Sequence, residues 1–350
     1  MTRRSLAALA ATLLIAASGG MLAWLVALPV AWLLGSAAAV SVASLSGLRT
    51  HIPQTLRDAT FFVLGVQAGA GVTPDVLGQI ALWPVSFAIQ MAGVLLVILA
   101  TYAFLRGVFG WNSETALFAS VPGAMSFVLA AASDTKADMT RVTVVQSLRL
   151  LLLLGALVPV LAWLEGGDGI VPVARGVAGT PVQYLVLFLL CAGGAMLGHV
   201  SRLPGGLLLG ALIVSAVLHA TGAAPVAVPL WLSVPALVVL GATIGSRLKS
   251  ENRRAMLQLL PASLGAFAIG LGISTAAAVL GVATLGIDFG KVALAYAPGA
   301  LEALTVLAYQ FDQDPAYVAA HHVVRFIFLA LLVPVVAKRL MRGGGGGAEG

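Results

Sequence analysis

Residues 118–127 read FASVPGAMSF and residues 294–303 read LAYAPGALEA. In each, a Pro-Gly pair falls in the middle of an apolar run, 113–132 in the first and 289–311 in the second. Proline removes a backbone N–H and collides with the preceding turn, and glycine adds freedom. A helix at Pro122-Gly123-Ala124 or Pro298-Gly299-Ala300 therefore kinks or splits into two halves. The two motifs are 176 residues apart (298 − 122 = 176). Other uncommon residues keep that spacing: Gly65-x-x-x-Gly69 returns as Gly241-x-x-x-Gly245, Asp138 as Asp314, and Arg149 as Arg325. Leu28-Pro29 and Leu203-Pro204 fit with a slip of one residue. A constant offset across rare residues marks a duplicated unit. The division is 1–170, 171–342 and a Gly-rich tail, 343–350, of a composition that is flexible in linkers.

The chain is 60% hydrophobic and 9% charged, with a mean hydropathy of +1.04. Soluble domains carry about 25% charged residues, so most of this surface faces lipid. Apolar runs recur near 6–28, 30–48, 56–72, 79–105, 113–132 and 139–164. In the second half they lie near 181–201, 205–221, 229–247, 255–282, 289–311 and 315–338. None shows the short alternating pattern of a membrane barrel. The first run is too long for the apolar part of a secretory signal, about 7–15 residues, and reads as a membrane helix.

The net charge of +6 is scattered through short loops and reads as topology, not as a nucleic-acid patch. In the first half, basic residues sit at Arg3 and Arg4, at Arg49 and Arg57, and at Arg106. In the second half the pattern reverses, with Arg202 between the first two segments and Arg247, Lys249, Arg253 and Arg254 between the third and fourth. If basic loops mark the cytoplasmic side, the two copies have opposite orientations and each crosses an odd number of times. The expected fold is all-α and integral to the membrane. It is an inverted repeat of about ten full spans plus two broken or re-entrant Pro-Gly-Ala segments. Both termini are then cytoplasmic, in a multi-pass protein of the cell's inner (plasma) membrane.

Broken helices bring free backbone groups and half-dipole ends to the midplane, where transporters hold solutes and ions. Glu302 lies four residues past Pro298, and its counterpart is Ser126. An ionised group in mid-membrane is costly and points to a cation or proton site, or to a structural ion pair. Arg149 and Arg325 fall about 15 Å into the last helix of each copy, near the midplane. Gln146 shares a face with Arg149, and His322 with Arg325. These arginines can hold an anion or neutralise Glu302. His321 and His322 carry protons or simply bond neighbouring helices. Asp138 and Asp314 precede helices and read as N-caps, the second with Pro315 at the first helical position. The paired Gly-x-x-x-Gly motifs, with Gln67 and Thr243 inside them, read first as close helix contacts. The single cysteine, Cys191, forms no internal disulfide. No phosphate-binding loop appears, and no His, Cys or Glu spacing suits a metal.

Taken together, Leu28-Pro29 to Gly35, Leu203-Pro204 to Gly210, the paired glycine and Pro-Gly-Ala motifs, and the ending DPAYVAAHHVVR (314–325) resemble the AbrB-type membrane duplication family. The likeness covers nearly all of residues 1–340. Members carry labels such as regulator of gene expression and ammonia monooxygenase, and the fold is similar to cation–proton antiporters and anion transporters. The resemblance and the residues together imply a secondary transporter coupled to H⁺ or Na⁺, and no enzyme. Its partners would be the bilayer, a small solute and a coupling ion, without nucleic acid or cofactor, and with a homodimer compatible. One alternative is a membrane-embedded regulator acting through a partner protein docked on the basic stretch 247–254, or indirectly through transport. An ammonia-oxidising enzyme is disfavoured for want of metal ligands.

Overall fold

The computed structural model describes residues 3–72, 80–123, 125–133, 135–164, 178–249 and 253–344. Among them the regular structure is helical, with no strand. The helices are α1 (Arg3–Leu25), α2 (Ala31–Leu45), α3 (Gln54–Gly69), α4 (Trp83–Gly107), α5 (Ser113–Ser120), α6 (Met125–Ser133) and α7 (Met139–Leu164). They continue with α8 (Pro181–Val200), α9 (Gly206–Ala220), α10 (Leu230–Gly245), α11 (Arg253–Leu285), α12 (Phe289–Tyr296), α13 (Leu301–Gln310) and α14 (Pro315–Gly344). The start of the tail, Gly343 and Gly344, closes α14, and 345–350 lie outside the described residues. So does 165–177, where the boundary between the two copies falls.

Among the described residues, six stretches are long and apolar enough to cross a membrane, on α1, α4, α7, α8, α11 and α14. By contrast α2, α3, α9 and α10 have 15 or 16 residues. At 1.5 Å per residue they reach about 22–24 Å, less than the roughly 30 Å hydrocarbon core. By length alone, then, six of the described helices qualify, where the sequence suggested about ten spans. Leu14 and Leu22 on α1, Leu185, Leu189 and Leu197 on α8, and Leu331 on α14 are exposed. Isolated exposed apolar residues are ordinary, but repeated along whole helices of this composition they suit lipid.

The chain divides into two compact units. The first comprises 1–81, 154–251 and 301–319, and the second 82–153, 252–300 and 320–350. In the first unit, α1 packs on α2 and α8 on α9, while α2 packs on α10 and α9 on α3. Glycines set these contacts. A Cβ added at Gly69 would lie 2.5 Å from the Leu212 carbonyl oxygen, and one at Gly245 would lie 2.6 Å from that of Ala37. Gly65 meets Leu208 and Gly241 meets Leu33 in the same way. The two Gly-x-x-x-Gly motifs are thus helix-packing seams. Across two of the pairs a serine donates to a backbone carbonyl, Ser36 Oγ to Ala16 O and Ser215 Oγ to Val66 O, both at 2.7 Å.

The second unit holds α4, α5, α6, α11 and α12, with the first part of α7 and most of α14. Its core includes Val94, Ile98, Phe118, Val121, Val142 and Leu329. The outer ends of its short helices are capped by side chains that the sequence reading did not single out. Asn112 Oδ1 accepts from Thr115 N at 2.8 Å and Asp288 Oδ1 from Gly290 N at 2.8 Å. Asp138 Oδ1 accepts from Arg141 N at 3.0 Å, and Asp314, in the first unit, accepts from Ala316 N at 2.9 Å. Both aspartates are N-caps.

Candidate functional site at two interrupted helices

The residue before a proline is forced away from the helical region, and both interruptions begin that way. Val121 (φ −64, ψ 121) and Ala297 (φ −54, ψ 138) are extended, ending α5 and α12. Proline alone is not sufficient, since Pro159, Pro235, Pro261 and Pro334 all lie inside continuous helices. At the two breaks a glycine follows, and Gly123 takes φ +91, which a side chain disfavours.

Ending a helix in the membrane orphans its last carbonyls. Here α7 and α14 supply the donors. Gln146 Nε2 donates to Phe118 O and Val121 O, both at 3.0 Å, and Arg149 Nη2 donates to Val121 O at 2.9 Å. Arg149 also bonds the Gln146 side-chain oxygen. In the second half, Arg325 Nη1 donates to Ala297 O at 2.6 Å and Nη2 to Gly299 O at 2.7 Å. His322 Nε2 lies 3.2 Å from Leu294 O, and because a carbonyl only accepts, that nitrogen carries the hydrogen. Gln146 and His322, different by name, do the same work. All four side chains are buried. The arginines also place positive charge at the negative ends of two half-helices.

The interruptions meet. A Cβ added at Gly123 would lie 3.0 Å from Arg325 Nη2 and 3.4 Å from Gly299 O. Pro122, Gly123, Gln146, Arg149, Pro298, Gly299, Ala300, His322 and Arg325 therefore belong to one unit, around a crossing lined by backbone carbonyls and guanidinium groups. Ala124 and the side chain of Ser126 lie outside the described residues. Beside Val121 runs an apolar cleft of about 340 Å³, lined by Leu95, Ile98, Tyr102, Leu117 and Val333 among others. Its lining suits a hydrocarbon chain better than an ion.

Glu302 lies in the first unit, on the first turn of α13. Its Oε1 would be 3.7 Å from a Cβ added at Gly205. Burial lowers the pKa of Arg247 in the turn after α10, the Glu302 carboxylate opposes that shift, and Arg57 adds to it. The Glu302 carboxylate and the Arg247 guanidinium thus influence each other electrostatically. Elsewhere in this unit, the amides of Gln67 and Gln310 are buried and have no hydrogen-bond partner among the described residues.

Sequence reading missed Ser86 and Tyr296. Ser86 Oγ on α4 lies 2.9 Å from Tyr296 OH and 2.8 Å from His321 Nε2, and Tyr296 OH donates to Ser86 O at 2.8 Å. No motif could flag them: they are 210 residues apart and the offset copies are Ala262 and Ser120. Among the described residues, no group of three or more His, Cys, Asp or Glu could hold a metal ion.

A family model described as "Transition state regulatory protein AbrB" matches residues 32–341. The chain is 28% identical over 320 residues to the "Putative regulator AbrB" of Escherichia coli (strain K12), covering 89% of this chain and 90% of that one. It is 26% identical over 298 residues to the "Uncharacterized protein YhjN" of Bacillus subtilis (strain 168), covering 78% and 75%.

Proposed function

Because the chain belongs to the AbrB family, we propose that it is a secondary transporter of a small, polar, preferably anionic solute, driven by a cation gradient. The observation that carries this is the meeting of two interrupted helices, with Arg149 and Arg325 on the carbonyl ends of α5 and α12. A soluble-type helix end would be hydrated. Here a polar, charged crossing is assembled among buried side chains, the arrangement transporters use to grip a solute.

The reading includes an inverted repeat with both termini cytoplasmic, in which the four 15–16-residue helices also cross, giving about ten spans plus two broken ones. Its support is that partners correspond under the 176-residue offset: Phe118 with Leu294, Val121 with Ala297, Gln146 with His322 and Arg149 with Arg325. Within the first unit, α2 on α10 and α9 on α3 correspond in the same way. The test uses full-length protein in liposomes and solid-supported-membrane currents. Small carboxylates, amino acids and inorganic anions are applied with and without a proton or sodium gradient. A saturable current with one class is expected, reduced at least tenfold by Arg325→Gln. Glu302→Gln tests whether that carboxylate carries the coupling cation. No saturable current from well-folded protein with any class would reject transport.

A second reading, a membrane regulator acting through a partner protein, is favoured by the name of the E. coli relative. Its docking surface would be the basic stretch 247–254, of which 250–252 lie outside the described residues. Neutralising Arg253 and Arg254 would then abolish regulation and leave any flux unchanged.

A further inference from the structure

The apolar cleft beside Val121 is no place for a polar solute, and it lies wholly within the second unit. Its walls come from three helices: Leu95, Leu99 and Tyr102 on α4, Leu117 and Val121 at the end of α5, and Val336 on α14. Among the lining residues Tyr102 alone carries a polar atom in its side chain. Leu95 and Leu99 are 38% and 64% exposed, so the cleft opens on the outer surface of α4. Leu96 on α4 and Leu331 and Val335 on α14 are exposed as well. A contiguous apolar surface of this kind marks contact with a membrane or a partner, and on helices of this length and composition it faces lipid. A hydrocarbon chain entering the cleft leaves one apolar medium for another and gains nothing from the hydrophobic effect. Selection between lipids must then come from the headgroup.

The headgroup ligand follows from the helix period. Leu95, Leu99, Tyr102 and Arg106 are spaced by 4, 3 and 4 residues, one stripe of α4. The Arg106 guanidinium carbon lies 5.9 Å from the centre of the Tyr102 ring, and Nη1 donates to Ser113 Oγ at the start of α5. Arg106 is exposed, and a guanidinium has five N–H donors in a fork that suits phosphate. From Arg106 back to Leu99 and Leu95 is about 10–17 Å along the helix. The hydrocarbon of one leaflet is about 15 Å deep, half of the roughly 30 Å core. With Arg106 at the level of a phosphate, the cleft sits at the depth of that same lipid's acyl chains.

The surroundings carry the same sign. Asn112 Nδ2 donates to Lys136 O at 3.0 Å, which brings the Lys136 backbone to the loop after α4. The Arg141 guanidinium lies 5.3 Å from the Trp111 ring centre and pairs with Asp138 at 3.2 Å. Glu114 is the remaining acid of this group, so the bases outnumber the acids by three to two. Basic and aromatic residues at a helix end are the combination that meets anionic headgroups.

We propose that this cleft and Arg106 together form a binding site for an anionic phospholipid, one acyl chain against Leu117 and Val121 and the phosphate on Arg106. The chain would then lie against the first interruption, on the residue whose carbonyl Gln146 and Arg149 hold. The site is independent of whether the protein transports.

The test is native mass spectrometry of the full-length protein, released from nanodiscs of equal parts phosphatidylglycerol and phosphatidylcholine with identical chains. The wild type should retain one phosphatidylglycerol in preference to phosphatidylcholine. Arg106→Gln should cut that preference about fivefold, the share of one basic residue at a membrane surface. Arg49→Gln, at an exposed arginine between α2 and α3, should leave it unchanged. Leu99→Trp blocks the mouth from an exposed position and should release lipid of either headgroup, whereas Leu99→Ala should keep it. Glycerol phosphate, which has the charge without the chain, should not displace the lipid. Equal retention of the two lipids (an annular lipid only) or equal losses for the two arginine variants would overturn the proposal. So would lipid retained by Leu99→Trp or displaced by glycerol phosphate. None of these readouts is a flux, so a failure here and a failure of the transporter reading are separate results.

Discussion

The two buried arginines look equivalent in sequence, but the structure makes them unequal. Arg325 donates to two carbonyls with its two terminal nitrogens, to Ala297 O at 2.6 Å and to Gly299 O at 2.7 Å. Arg149 shares Val121 O with Gln146 Nε2, which also reaches Phe118 O. A hydrogen bond from a charged group contributes about 1.5–3 kcal/mol. Glutamine at 325 can keep at most one of the two bonds, so Arg325→Gln should cost about 2–4 kcal/mol. Arg149→Gln leaves Val121 O with a partner and should cost about 1–2 kcal/mol. At roughly 2–4 °C per kcal/mol for bodies of 150–250 residues, the unfolding temperature falls by about 5–10 °C in the first case and about half that in the second. The assay is intrinsic fluorescence during heating in one detergent at one scan rate, since membrane-protein unfolding is commonly irreversible and rate-dependent. Equal losses, or a larger one for Arg149→Gln, would refute the argument that the break carbonyls are what these arginines serve.

Two further comparisons rest on backbone geometry. Gly245→Ala places a methyl 2.6 Å from the Ala37 carbonyl and should cost about 1–3 kcal/mol, whereas Gly272→Ala, with nothing within 4 Å, should be neutral or stabilising. Thermal unfolding compares the two, and equal effects would dismiss the seam. Gly123→Ala forces a side chain to φ +91 and towards Arg325 Nη2, so it should destabilise by about 1–3 kcal/mol, while Pro122→Ala changes less. A larger loss for Pro122→Ala in the same measurement would show that proline, not glycine, holds the break.

Local rules explain what was legible in the sequence. Pro-Gly inside an apolar run specified the interruptions, Asp before a helix specified the caps, and glycine at i, i+4 specified the seams. Arg149 and Arg325 were legible as buried partners but not as carbonyl donors, because their acceptors lie 26–28 residues away and backbone oxygens leave no mark in composition. The span count was less legible, since an apolar run of 17 to 19 residues loses its ends to turns and helices such as α2 come out at 15. Ser86 and Tyr296 were invisible: each is an ordinary residue on its own helix, and only tertiary folding sets them against His321.

A break in a helix is usually thought of as a joint. With Ala297 and Gly299 tethered to Arg325, and Val121 to Arg149, these two are splinted instead. Bending at either would first have to strip charged donors from these carbonyls, at a cost of about 1.5–3 kcal/mol for each bond. Whatever conformational cycle the protein follows, its two discontinuities travel as stiff corners, and the flexing belongs to other parts of the chain.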